Sequence, residues 1–112
     1  MKFFYNGKLI RTSKTHKYTH AVMLGDRLIS CASSYDLAVK SYNSYVGTYK
    51  RNQVNYRRAM SALSSGKDYY VNVDGKKVSK DCMYSYEEYT KFLNHSNYVV
   101  ENTKIVELEE RA

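Results

Sequence analysis

A chain of 112 residues fits one domain, and a domain of that size hides roughly two-thirds of its unfolded surface, enough for a single core over 1–112 without structural staples. Its two cysteines, Cys31 and Cys82, belong to no CxxC pair, which excludes a zinc ribbon and a thioredoxin-type motif. Eighteen Lys and Arg against eleven Asp and Glu leave a net charge of +7, and no apolar run approaches the ~18 residues of a membrane span.

The first third reads as β-hairpins. Phe3-Phe4-Tyr5 and Lys8-Leu9-Ile10-Arg11-Thr12 flank Asn6-Gly7, a pair that readily supplies the two positive φ angles of a type I′ turn. A second hairpin pairs residues 18–24 with 27–32 across Gly25-Asp26, and Ser13–Lys17 joins the two as an exposed basic loop. Ser33 and Asp36 then stand as a capping box. From there to about Ser64 no proline intervenes, and Ala38, Tyr42, Tyr45, Tyr49, Tyr56, Met60 and Leu63 share one helical face. Lys40, Gly47, Arg51, Val54 and Arg58 lie opposite, with Lys50 and Arg57 at the flank. Such a helix would be roughly 44 Å long, against a radius of gyration of about 13 Å for a domain of this size. The length predicts either a break near Gly47 or Asn52-Gln53, or an overhanging tyrosine stripe that a homodimer would cover.

After Ser64-Ser65-Gly66, Asp74-Gly75 sits between Tyr69–Val73 and Lys76–Ser79 as another type I′ hairpin. Ser85–Glu88 is a capping box opening a short helix through about Asn94. Tyr98-Val99-Val100 and Lys104–Leu108 read as strands, and the acidic end, Glu109-Glu110-Arg111-Ala112, as frayed. The expected fold is therefore α+β: antiparallel hairpins packed against one long amphipathic helix, with a short second helix. Thirteen tyrosines, three phenylalanines and no tryptophan make the core aromatic, with some rings at its border with solvent.

Charge gives the functional signal. Residues 1–67 hold twelve basic residues and only Asp26 and Asp36, a net +10, while residues 68–112 carry a net −3. That asymmetry points to a basic surface facing an anion, most simply nucleic acid or a nucleoprotein. The candidate contact residues are Lys40, Lys50, Arg51, Arg57 and Arg58 on the helix, with Arg11, Lys14 and Lys17 from the hairpin region. Arginine suits phosphate through its planar, multi-donor head.

Catalytic patterns are sparse. His16 and His20 straddle a loop and a strand start with no acid between them, so the metalloprotease spacing is missing. No phosphate-cradling glycine motif occurs, and the carboxylates fall at turns and a helix start rather than in a metal-binding cluster. The expectation is a non-enzymatic binding protein with no cofactor and no metal. The opening Met1–Gly7 is interrupted by polar residues too soon for a signal peptide, and two reduced thiols in a cytoplasmic protein complete the picture.

Phe4-Tyr5-Asn6-Gly7-Lys8-Leu9-Ile10-Arg11-Thr12-Ser13, followed by Tyr18-Thr19-His20-Ala21-Val22, resembles the small accessory proteins of phages and mobile elements in Gram-positive bacteria. The resemblance covers about the first 32 residues. Some proteins of that kind are anti-CRISPR inhibitors of Cas9, so the resemblance implies docking on a bacterial Cas9 nucleoprotein with its guide RNA. Many such inhibitors are acidic DNA mimics, and this basic chain departs from that pattern. The alternative from a different class is a phage accessory protein that binds DNA or RNA directly through the same cationic face.

Overall fold

Asn6 and Gly7 take φ of 51° and 78°, the left-handed pair expected of Asn-Gly. In the computed structural model, which describes residues 1–112, this turn joins β1 (Lys2–Tyr5) to β2 (Lys8–Thr12). A second hairpin joins β3 (His20–Leu24) to β4 (Arg27–Ala32), and each hairpin carries an irregularity, between Phe3 and Phe4 and between Val22 and Met23. Then follow α1 (Tyr35–Ser64), β5 (Tyr69–Val71), β6 (Lys77–Ser79), a short 3-10 turn at Lys80–Cys82, α2 (Tyr86–Asn102), β7 (Thr103–Glu107) and β8 (Glu109–Arg111). The fold is α+β, as the sequence predicts.

The chain gathers into two compact units. One comprises Met1–Val46 with Asn102–Ala112, the other Gly47–Glu101. In the first unit two three-stranded antiparallel sheets form, in the orders β2-β1-β8 and β4-β3-β7. Ala21, Met23 and Val106 make a core on one face of β3 and β7, with Tyr5 and Ile10 of the other sheet packed against it. Val22 and Leu24 point to the opposite face and are also buried. Ser30, paired with Val22 across the strands, shares that face and bonds to Ser41 of α1, so the start of the long helix covers it. A strand covered on both sides is apolar throughout, which accounts for the run Ala21-Val22-Met23-Leu24.

In the second unit the rest of α1 packs on α2. Tyr56 meets Tyr89 and Phe92 at 5.9 and 5.7 Å between ring centroids, Tyr49 meets His95 edge-on at 5.9 Å, and Gln53 Nε2 donates to Asn97 Oδ1 at 2.8 Å. The tyrosine stripe at these positions is thus covered from within the chain. Gly47 does not break α1, and neither does Asn52-Gln53. The length problem is resolved by division of labour: Tyr35–Val46 serves one core and Gly47–Ser64 the other.

Four local expectations are corrected. The cap of α1 is Ser34, not Ser33, its Oγ accepting from the Leu37 N–H at 3.2 Å. Tyr98-Val99-Val100 is helical, because Tyr89, Phe92, Ser96 and Val99 keep the period of three to four and α2 runs on to Asn102. The β propensity of two adjacent valines yields to burial of that stripe. The acidic end is not frayed: Glu109, Glu110 and Arg111 pair with Phe4, Phe3 and Lys2, and the Arg111 guanidinium lies 4.6 Å from the Phe4 ring centroid. Finally, the turn before Lys76 has only Gly75 left-handed (φ 79°), so Asp74-Gly75 is not a type I′ pair. The chain instead turns over Asn72–Gly75, with Gly75 N–H donating to Asn72 O at 3.0 Å. Asn72 Oδ1 accepts from the Asp74 and Lys76 N–H groups at 3.0 and 2.9 Å.

Candidate functional site

Val54, Arg57, Arg58 and Ser61 recur on α1 at helical spacing and therefore share a side. The β5–β6 hairpin is fastened beside them by three contacts. Val73 N–H donates to Asn55 Oδ1 at 2.9 Å, Arg58 Nη1 donates to Val71 O at 3.0 Å, and Arg51 forms an ion pair with Asp74. The ladder explains why Val71 O is available. Lys80 N–H bonds Asp68 O and Asn72 N–H bonds Lys76 O, so even-numbered residues face β6 and the backbone groups of Tyr69 and Val71 face the open edge of β5.

Helix and hairpin enclose a cleft of about 1040 Å³, lined by Val54, Arg57, Arg58, Ser61, Ala62, Gly66, Lys67, Asp68, Tyr69, Tyr70, Val71 and Lys77. Four cations face one carboxylate. No ion pair holds Arg57, Lys67 or Lys77. Beside them, Tyr69 and Val71 are each 43% exposed and Val54 is 38% exposed. Lys77 Nζ lies 4.1 Å from the Tyr69 ring centroid, a cation–π contact. The cleft therefore offers both uncompensated positive charge and open apolar and aromatic surface.

Tyr70 turns into the tyrosine cluster instead. Burial first, then the charge and hydrogen bond of Tyr89 and the charge of Tyr56, push its hydroxyl up to about 12. Burial also raises Tyr56, with Tyr84, Tyr89 and Tyr49 adding to the effect. These hydroxyls stay protonated at neutral pH, and that of Tyr70 joins the hairpin to α2 through Tyr89 as a neutral group.

The eight cations chosen from sequence divide between the two units. Arg57 and Arg58 line the cleft, Arg51 is engaged by Asp74 near the hairpin turn, and Lys50 is exposed on the same half of α1. Lys40 is exposed in the first unit. There Arg11 lies 5.6 Å from the Tyr18 ring centroid, and His16 stacks on that same ring at 5.8 Å. Lys14 projects from a turn closed by Ser13 Oγ, and Lys17 Nζ is 4.0 Å from Glu110. Lys67, Tyr69 and Lys77 were not among the sequence candidates. Lys77 follows Lys76 in a hairpin recognisable from sequence, but the docking of that hairpin beside Arg57 is a tertiary event that periodicity does not encode.

Both cysteines are free. Burial raises the Cys31 thiol against the opposing charge of Arg11, whereas Cys82 is exposed with Ser79 Oγ at 3.7 Å. No three His, Cys, Asp or Glu side chains are grouped to hold a metal ion, and no helix is long and apolar enough to cross a membrane. The chain matches no protein-family model, and no curated protein sequence or solved structure shows significant similarity to it.

Proposed function

We propose that this protein acts by binding rather than catalysis, and that the cleft between the second half of α1 and the β5–β6 hairpin holds a nucleic-acid backbone. The observation carrying this reading is the set Arg57, Arg58, Lys67 and Lys77, four cations against the single carboxylate of Asp68 on one concave surface. Arginine forks and lysine ammonium groups contact phosphate without reading sequence, so they supply affinity and leave specificity to other groups. The N-terminal resemblance implies docking on a bacterial Cas9 nucleoprotein, where a basic face suits guide RNA, target DNA or an acidic surface of the effector. Bare DNA or RNA is the alternative.

Co-purification separates them. The tagged protein is mixed with Cas9 carrying guide RNA, with Cas9 alone, and with guide RNA alone. Inhibitory docking predicts retention of the loaded effector well above that of free RNA, and direct binding predicts equal retention of RNA with or without Cas9. Arg57→Glu combined with Lys67→Glu should abolish either one, while circular dichroism stays unchanged. Full retention by the folded double variant would refute the cleft as the binding surface.

A further inference from the structure

Phosphate contacts account for the cations of the cleft but not for the apolar surface among them. Tyr69, Val71 and Val54 remain substantially exposed between Arg57, Arg58 and Lys77, and the Lys77 ammonium lies 4.1 Å from the centroid of the Tyr69 ring. A duplex would engage the charges alone, because its base faces are stacked on one another and its bases are paired. An unpaired strand brings both complements at once: phosphates for the cations, and open base faces for the ring and the valines. Stacking of a base on an aromatic side chain beside a cationic track is the usual way proteins hold single strands without sequence preference.

We infer that the cleft takes single-stranded nucleic acid, with an unpaired base stacked on Tyr69 and the neighbouring phosphates on Arg57 and Lys77. This rests on the nucleic-acid reading above and narrows it. Alternation along β5 supports the division of roles. Tyr70 is half-buried against Tyr89 and Tyr56, so Tyr69 is turned the other way and is available to a ligand.

Fluorescence anisotropy with four probes tests it: short polythymidine, short polyuridine, a duplex of the same length, and inorganic polyphosphate as a base-free polyanion. The expected order is either single strand at least tenfold tighter than duplex or polyphosphate. Tyr69→Leu keeps apolar bulk and removes the aromatic face. It should weaken single-strand binding about tenfold, within the range of one lost stacking contact, and move duplex and polyphosphate binding less than twofold. Tyr69→Phe should bind single strands as the parent does, and thermal melting confirms that each variant is folded. Duplex or polyphosphate binding as tight as single strand, or a folded Tyr69→Leu variant with unchanged affinity, overturns the single-strand inference and leaves the backbone reading standing. Absence of binding to all four probes overturns the single-strand inference, and together with no retention of Cas9 carrying guide RNA it overturns both.

Discussion

Arg57 allows the electrostatic reading to be worked as a number. The cleft presents four cations, and each phosphate neutralised on a single strand contributes about −0.7 to the slope of log affinity against log salt. If all four engage, the slope is about −2.8, and affinity falls about 50-fold between 50 and 200 mM salt. Arg57→Ala removes one exposed cation that no ion pair holds. The slope should drop to about −2.1 and the loss over the same range to about 20-fold. Because Arg57 is exposed, the melting temperature should barely move, a surface change of this kind being within about 0.5 kcal/mol. Anisotropy titrations at four or more salt concentrations, with parent and variant side by side, measure both slopes. A parent slope near zero, or an Arg57→Ala slope equal to the parent's, would refute the assignment of that guanidinium to a phosphate.

Three further outcomes concern the scaffold. Gly47→Ala should stabilise by about 1 kcal/mol and raise Tm by roughly 4 °C, because Gly47 sits inside a helix and a Cβ there meets no atom within 4 Å; calorimetry checks it. Asn72→Ala should cost about 1–2 kcal/mol by removing the acceptor of two turn N–H groups. Asp74→Ala should cost less than about 1 kcal/mol, because the Arg51–Asp74 pair is half exposed, and urea melts of the two variants give the comparison. Tyr70 sets an alkaline limit. Its hydroxyl pKa is higher in the folded protein, about 12, than the ordinary 10 of an unfolded chain, so its contribution is complete below pH 10 and is lost as pH rises towards 12. Tyr70→Phe should flatten the fall in stability over that window, followed by melts at stepped pH.

Much of the fold was legible because its signals are local. Asn6-Gly7 fixes its turn by backbone conformation alone, and the tyrosine period of α1 survives translation into a helix with those rings inward. The failures were tertiary. Val99 and Val100 resemble a strand until Tyr89, Phe92 and Ser96 are seen on the same side of one helix. Glu109–Arg111 looks like a solvated tail until the unpaired edge of β1 supplies partners. The Asp74-Gly75 turn depends on the Asn72 side chain, a competitor that the dipeptide rule ignores. In the site, charge periodicity located Arg57 and Arg58 but grouped them with Arg51, whose charge is engaged by Asp74. Tyr69, Lys67 and Lys77 lie outside the helix, and nothing in a linear pattern brings a distant hairpin to a particular helix face.

The pairing of Lys2 with Arg111 has a consequence for synthesis. Both sheets of the first unit take their third strand from residues 103–111, and Val106 completes the core around Ala21 and Met23. The two N-terminal hairpins therefore leave the ribosome long before their sheets can be finished. Residues 47–101, which make the second unit, follow them in one uninterrupted stretch. Until residues 103–111 follow, β1 and β3 each have an open edge, the arrangement most exposed to mispairing with another chain.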